Sequence, residues 1–255
     1  MDPLVSKLLR AAAVTVAALV VSSTLTARAA EPFGATPCSG VQPGAWIEAP
    51  RGTIYTMGFV LKGIDAKGRS ANYVTTVASY VFPTFGTKVW PTGAGPRAYN
   101  SAGRPIGSFV YAVHTETPDA SSFGLVRLNK TVRANPQVCH FGGPTGINNT
   151  KSTTPTTVQY YGQGIPADSV TPARTGVVLN AQENDTLFMQ GVIGIGDEGA
   201  PVVAGGGALG YFDGGVGGSV GVGGAGFVVA RLGPWLTKAQ KALKIRFTLQ
   251  KARTL

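Results

Sequence analysis

The sequence predicts an all-β protein of antiparallel barrels or sandwiches, closed by one C-terminal helix. Three observations predict it. About a dozen short runs rich in β-branched and aromatic residues follow one another with no helical period between them. Thirty-six glycines and seventeen prolines punctuate those runs with turn signals. The last amphipathic segment alone shows a helical period.

The first strand candidate is Tyr55-Thr56-Met57-Gly58-Phe59-Val60-Leu61, followed by a turn at Ile64 to Arg69. Tyr73-Val74-Thr75-Thr76-Val77 is β-branched, and Lys88-Val89-Trp90 is short and ends on Pro91-Thr92-Gly93. Ile106 to His114 alternates through Phe109, Tyr111 and Val113, and Phe123 to Leu128 alternates as a half-buried strand should. After Asn129 to Gln137 the pattern restarts. Thr157 to Tyr161, Gly176 to Leu179, Thr186 to Val192, Pro201 to Val203, Ala208 to Phe212 and Gly226 to Ala230 all read as strands. The glycine-rich tract Gly205 to Gly226 reads either as a mobile loop or as tight turns and close approaches between short strands. In the final segment Pro234 suits a first helical turn. Trp235, Leu236, Ala239, Leu243 and Phe247 fall on one face, with Lys238, Lys241 and Lys244 away from it.

Hydrophobic content of 44% against 13% charged residues is enough for a packed core and argues against disorder. The N-terminus reads as an export signal. Lys7 and Arg10 precede the apolar run Ala11 to Val21, and Ala27-Arg28-Ala29 gives an A-x-A cleavage pattern, with the cut after Ala29. The alternative is an uncleaved anchor, although the apolar core falls short of the ~20 residues a span needs. Removing residues 1–29 takes away three cations and one anion, which lowers the net charge from +10 to +8. A basic protein outside the cell meets anionic cell-wall polymers or acidic proteins. No nucleic-acid motif accompanies the charge, so nucleic acid is not expected as a partner. Between Arg231 and Leu255 there are seven basic residues and no acidic ones. This is either a solvated helix face or a surface for docking a polyanion.

Cys38 and Cys139 are the only cysteines, which permits one intramolecular pair. In an oxidising compartment a disulfide is expected, the alternative being two free thiols. Two cysteines about a hundred residues apart and two histidines make no metal-binding signature, so neither metal nor cofactor is expected.

The stretch Gly194-Ile195-Gly196-Asp197-Glu198-Gly199-Ala200-Pro201-Val202-Val203 resembles the Gly-Asp-Ser-Gly-(Gly/Ala)-Pro-Val segment around the nucleophile of trypsin-like serine proteases. Glu198 stands in the serine place. Val138 to Gly146 is similar to segments of secreted actinobacterial members of that family. The resemblance implies the chymotrypsin-like fold of two antiparallel β-barrels with a C-terminal α-helix. Its divisions would be a signal peptide at 1–29 and a lead-in at 30–40 with Cys38. The first barrel would run over 41–130, the second over 131–240, and the helix over 234–247. A Cys38–Cys139 bridge would match one that the family uses to tie the lead-in to the second barrel.

Such enzymes use a serine nucleophile, a histidine base and an aspartate that orients the histidine. The histidine segment, Thr-Ala-(Ala/Gly)-His-Cys, is matched by Thr76-Val77-Ala78-Ser79-Tyr80, so Ser79 stands in the histidine place. The aspartate segment is matched by Ser122 to Leu128, so Ser122 stands in the aspartate place. Tyr55 and Tyr80 occupy the places of a cysteine pair lost together. His114 and His140 read as surface or satisfied histidines and Asp119 as a turn residue, so none restores the triad. A Ser79 nucleophile served by Glu198 would have a poorly matched base at neutral pH. Glycosidase chemistry would need a second acid near Glu198.

The reading that follows is a secreted, non-catalytic homologue, a pseudoprotease with no catalytic residue expected at Ser79, Ser122 or Glu198. A peptide or protein in the cleft between the barrels, or an anionic cell-wall polymer, would be its partner, and it would act as a monomer. The alternative is an active secreted serine endopeptidase whose triad lies elsewhere. The backbone N–H groups of Gly196 and Glu198 are expected to form the oxyanion-hole turn. The Glu198 carboxylate is expected to bend into that turn or to accept from Ser79 and Ser122.

Overall fold

The computed structural model describes residues 38, 40–50, 52–79, 81–115, 122–149, 155–164, 172–183, 185–215 and 226–255, and among these the chain forms fifteen strands and one helix. The expected signal peptide, Tyr80, Asp119 and residues 216–225 of the glycine-rich tract lie outside the described residues.

The N-terminal half gives β1 (Trp46–Ala49), β2 (Thr53–Thr56), β3 (Val60–Asp65), β4 (Ser70–Thr76), β5 (Gly86–Val89), β6 (Arg97–Tyr99), β7 (Pro105–His114) and β8 (Ser122–Leu128). The C-terminal half gives β9 (Thr156–Tyr161), β10 (Ala173–Glu183), β11 (Thr186–Gln190), β12 (Pro201–Ala204), β13 (Gly207–Gly215) and β14 (Gly226–Arg231). Helix α1 (Leu232–Leu243) and strand β15 (Ile245–Leu249) finish the chain.

The expected pair of barrels is corrected: one barrel closes and the other sheet stays open. Strands β10-β11-β14-β13-β12-β9 form a closed six-stranded antiparallel barrel. The N-terminal strands form a nine-stranded open sheet in the order β15-β3-β4-β8-β7-β6-β1-β2, with β5 also paired to β7. Two pairings explain why this sheet does not close. The free edge of β3 is taken by β15, in register from Ile245 opposite Asp65 to Leu249 opposite Leu61. At the other end, the Thr56 N–H donates not to a strand but to the Glu198 carbonyl, at 3.0 Å.

β15 also alters the predicted end of the helix. Leu232, Trp235, Leu236 and Ala239 form the buried face, as the helical period requires. The helix stops at Leu243, and Lys244 adopts a left-handed backbone (φ 55°) that turns the chain back as β15. Phe247 therefore lies on a strand, its ring edge-on to Tyr73 at 5.0 Å. Its N–H donates to Gln240 Oε1 at 2.8 Å.

One core cluster runs through both sheets. Phe123 of β8 stacks on Trp235 of α1 (6.2 Å) and lies against Tyr211 of β13 (5.5 Å). A second cluster fills the barrel, with Val158, Tyr160, Val178, Leu187, Met189, Val202, Phe227 and Val229 buried inside it. The start of the glycine tract is ordered as a hairpin turn. Gly205 and Gly206 both have positive φ and link β12 to β13, a geometry that glycine adopts without steric cost. The lead-in is fixed by a Cys38–Cys139 disulfide with Cα atoms 5.6 Å apart.

Candidate functional site

The 194–200 loop sits where the open sheet meets the barrel, held by main-chain and side-chain hydrogen bonds. Thr56 Oγ1 donates to the Gly196 carbonyl at 2.8 Å and accepts the Gln163 N–H at 2.9 Å. Thr76 Oγ1 donates to the Thr56 carbonyl, so β2 and β4 together brace the loop. Gly199 has φ +89°, and a Cβ there would lie 2.3 Å from the Thr56 carbonyl oxygen, which no side chain tolerates.

Asp197 anchors the loop from below. Its carboxylate is 1% exposed and accepts two hydrogen bonds from Arg174, Nη1 at 2.5 Å and Nη2 at 2.7 Å. The Gly194 and Gly164 N–H groups donate to the same carboxylate, at 2.6 and 2.7 Å. Arg174 spends its other donors on the carbonyls of Val192, Gly162 and Pro172. Its guanidinium lies 5.4 Å from the Tyr160 ring centroid. The Tyr160 hydroxyl donates to the Val192 carbonyl and accepts the Val192 N–H. Burial pushes the Tyr160 phenol up to about 12. The sequence reading misses Arg174. The one available signal was the requirement itself, since a buried carboxylate needs a cation.

Glu198 is half-buried, and its side chain curls back so that the Gly196 N–H donates to Oε2 at 2.9 Å. The carboxylate thus fills the turn that its own segment forms. Ile195, two residues before Asp197, projects into solvent at 75% exposure.

Ser79 is half-buried in the turn after β4, and Ser122 opens β8 at 3% exposure. Ser122 Oγ accepts the Ala78 N–H at 2.7 Å, which ties β8 to the Ser79 turn. The fold therefore brings the Ser79 and Ser122 segments together and joins the Glu198 loop to β4 through Thr56 and Thr76. Among the described residues no hydrogen bond links the side chains of Ser79, Ser122 and Glu198.

The sequence reading also missed Asp213. Its Oδ1 accepts the Ser122 N–H at 2.6 Å, reaching across from β13 of the barrel to β8 of the open sheet. His114 lies directly opposite Ser122 on the β7–β8 ladder, with its ring 4.9 Å from Phe85. A serine, a histidine and an aspartate are thus neighbours, with Ser122 buried at 3% exposure. His140 is exposed, with φ 68° and its ring edge-on to Phe141. Tyr55 is buried at 1% exposure. Among the described residues no group of three or more His, Cys, Asp or Glu could hold a metal ion.

No protein-family model and no curated protein matches the sequence. Solved structures do match the fold. A chymotrypsin of Cellulomonas bogoriensis is similar at a TM-score of 0.53 and 15% identity, over 82% of this chain and 99% of that one. A Nocardiopsis protease is similar at 0.53 and 14%, over 83% and 100%. A glutamic acid-specific serine protease, described as using a histidine triad in substrate binding, is similar at 0.52 and 17%, over 80% and 98%. The chain shares the fold of chymotrypsin/trypsin-like serine proteases of actinobacteria.

Proposed function

We propose that the protein is an exported, non-catalytic relative of the trypsin-like serine proteases, which holds a peptide or protein segment beside the 194–200 loop without cutting it. The observation that carries this reading is the Gly196 N–H to Glu198 Oε2 hydrogen bond. A carboxylate stands where the resemblance puts a nucleophilic serine, and it fills a backbone donor that an oxyanion would need. Ser79 and Ser122, in the places of the base and its orienting acid, cannot supply a proton acceptor matched to neutral pH. The Lys7 to Ala29 pattern supports export, with cleavage after Ala29.

The exposed Ile195, at the lip of the loop, is the apolar contact such a segment would meet first. Selection of random linear peptides displayed on phage tests this. Peptides enriched on the wild type should lose binding to an Ile195→Arg variant and should be recovered uncut. Cleaved peptides, or enrichment indifferent to Ile195→Arg, would contradict the reading.

A second contact, with an anionic cell-wall polymer, is favoured by Lys241, Lys244, Arg246, Lys251 and Arg253, all exposed on the acid-free C-terminal segment. Binding to lipoteichoic acid that falls steeply with added salt and is lost on reversing Lys241, Lys244 and Arg246 to Glu would support it. Salt-independent binding would not.

A further inference from the structure

We infer that Asp213 is a positioning residue of the candidate site, whose carboxylate beside Ser122 excludes an acid from position 122. This rests on the reading of positions 79, 122 and 198 as former triad places.

Three observations carry it. Asp213 Oδ1 lies 2.6 Å from the Ser122 nitrogen. Ser122 is 3% exposed, so solvent does not screen charges placed there. The Ser122 Oγ already points to the Ala78 N–H, the donor that leads into the Ser79 turn. An aspartate at 122 could keep that bond, but its carboxylate would then be a close neighbour of the Asp213 carboxylate, which lies against the nitrogen of the same residue. Two carboxylates so close in a buried place repel strongly, and one must take up a proton or swing away. Serine escapes the conflict because it accepts the Ala78 N–H without charge. Asp213 makes a second contribution through the same bond, since it links β13 of the barrel to β8 of the open sheet. The carboxylate of this corner is thus supplied from the barrel side, and restoring residues 79, 122 and 198 alone leaves the new acid disabled.

The test is a stability cycle joined to a labelling comparison, both on the full exported protein. Ser122→Asp is made with Asp213 retained and with Asp213→Asn, which keeps an oxygen for the Ser122 N–H. Ser122→Asn serves as the uncharged control. Ser122→Asp should lower Tm by about 5 °C with Asp213 present and far less beside Asn. Ser122→Asn should show no such dependence on residue 213. An equal loss in both backgrounds, failure to fold in both, or equal coupling for Ser122→Asn would overturn the proposal. For labelling by a fluorophosphonate, the triple variant Ser79→His/Ser122→Asp/Glu198→Ser is compared with the same variant carrying Asp213→Asn. The fourfold variant should react on the order of a hundredfold faster. Measurable labelling of both variants at equal rates would overturn the proposal. If the stability coupling holds but neither variant reacts, the role of Asp213 stands and the assignment of the triad places is what fails.

Discussion

The Asp197 carboxylate and the Arg174 guanidinium form a buried two-pronged ion pair beneath the 194–200 loop, at 2.5 and 2.7 Å. Removing either partner strands the other charge away from water, at a cost of about 3–5 kcal/mol. Arg174→Met is therefore expected to lower stability by that amount in urea unfolding. The double variant Arg174→Met/Asp197→Leu should recover part of the loss. A single-variant loss below about 1 kcal/mol would show that the pair does not hold the loop.

Replacing Glu198 by Ala frees the Gly196 N–H without removing any main-chain bond of the loop. Stability should change by only about 1 kcal/mol, because that hydrogen bond is single and half-exposed. Amide exchange at Gly196 should accelerate, while exchange at Thr56, bonded to the Glu198 carbonyl, should stay slow. Unchanged exchange at Gly196 would mean that the carboxylate does not fill the turn in solution.

The Cys38–Cys139 bridge joins residues 101 apart in sequence. Cutting so long a loop from the unfolded state's constraints costs about 4–5 kcal/mol in the chain-entropy model. The Cys38→Ala/Cys139→Ala variant, or the wild type with reductant, should show that loss in chemical unfolding. A loss under about 1 kcal/mol would place the lead-in outside the cooperative unit.

Tyr160 gives the protein an alkaline limit. Its phenol is raised from 10.0 to about 12, first by burial, with Asp197 adding to the rise. The folded state thus keeps a proton that the unfolded chain releases. The stabilisation is complete below pH 10 and is lost as pH rises toward 12. Burial likewise raises Tyr73, Tyr111, Tyr161 and Tyr211. Tm should fall over that window together with the appearance of tyrosinate absorbance. Tyr160→Phe should reduce the slope, and at neutral pH should cost about 1–3 kcal/mol by leaving the Val192 N–H without its partner, while the Val192 carbonyl keeps Arg174.

The strands were legible because alternation and turn residues are local properties. Phe123 to Leu128, Thr186 to Gln190 and Pro201 to Val203 lie on strands as their patterns require. Barrel closure was not legible, because it depends on which distant edge a strand meets. β15 takes the edge of β3, and nothing near Val60 announces this. The end of the helix was obscured for a related reason. Phe247 satisfies a helical period counted from Leu243 and equally the alternation of β15, and Lys244 turns the chain without a glycine or proline to mark the place. At the site, the glycines and Asp197 carried a motif that can be read in one line of sequence. Arg174 and Asp213 are single charges on strands β10 and β13, and only the folded chain shows what they face.

Under the proposed function, no serine in this fold is activated. Labelling of the wild-type protein with a fluorophosphonate probe, beside an active trypsin-like protease as control, tests this. The control should be labelled and the wild type should not. Covalent labelling of the wild type, mapped to any serine and blocked by heat unfolding, would contradict it.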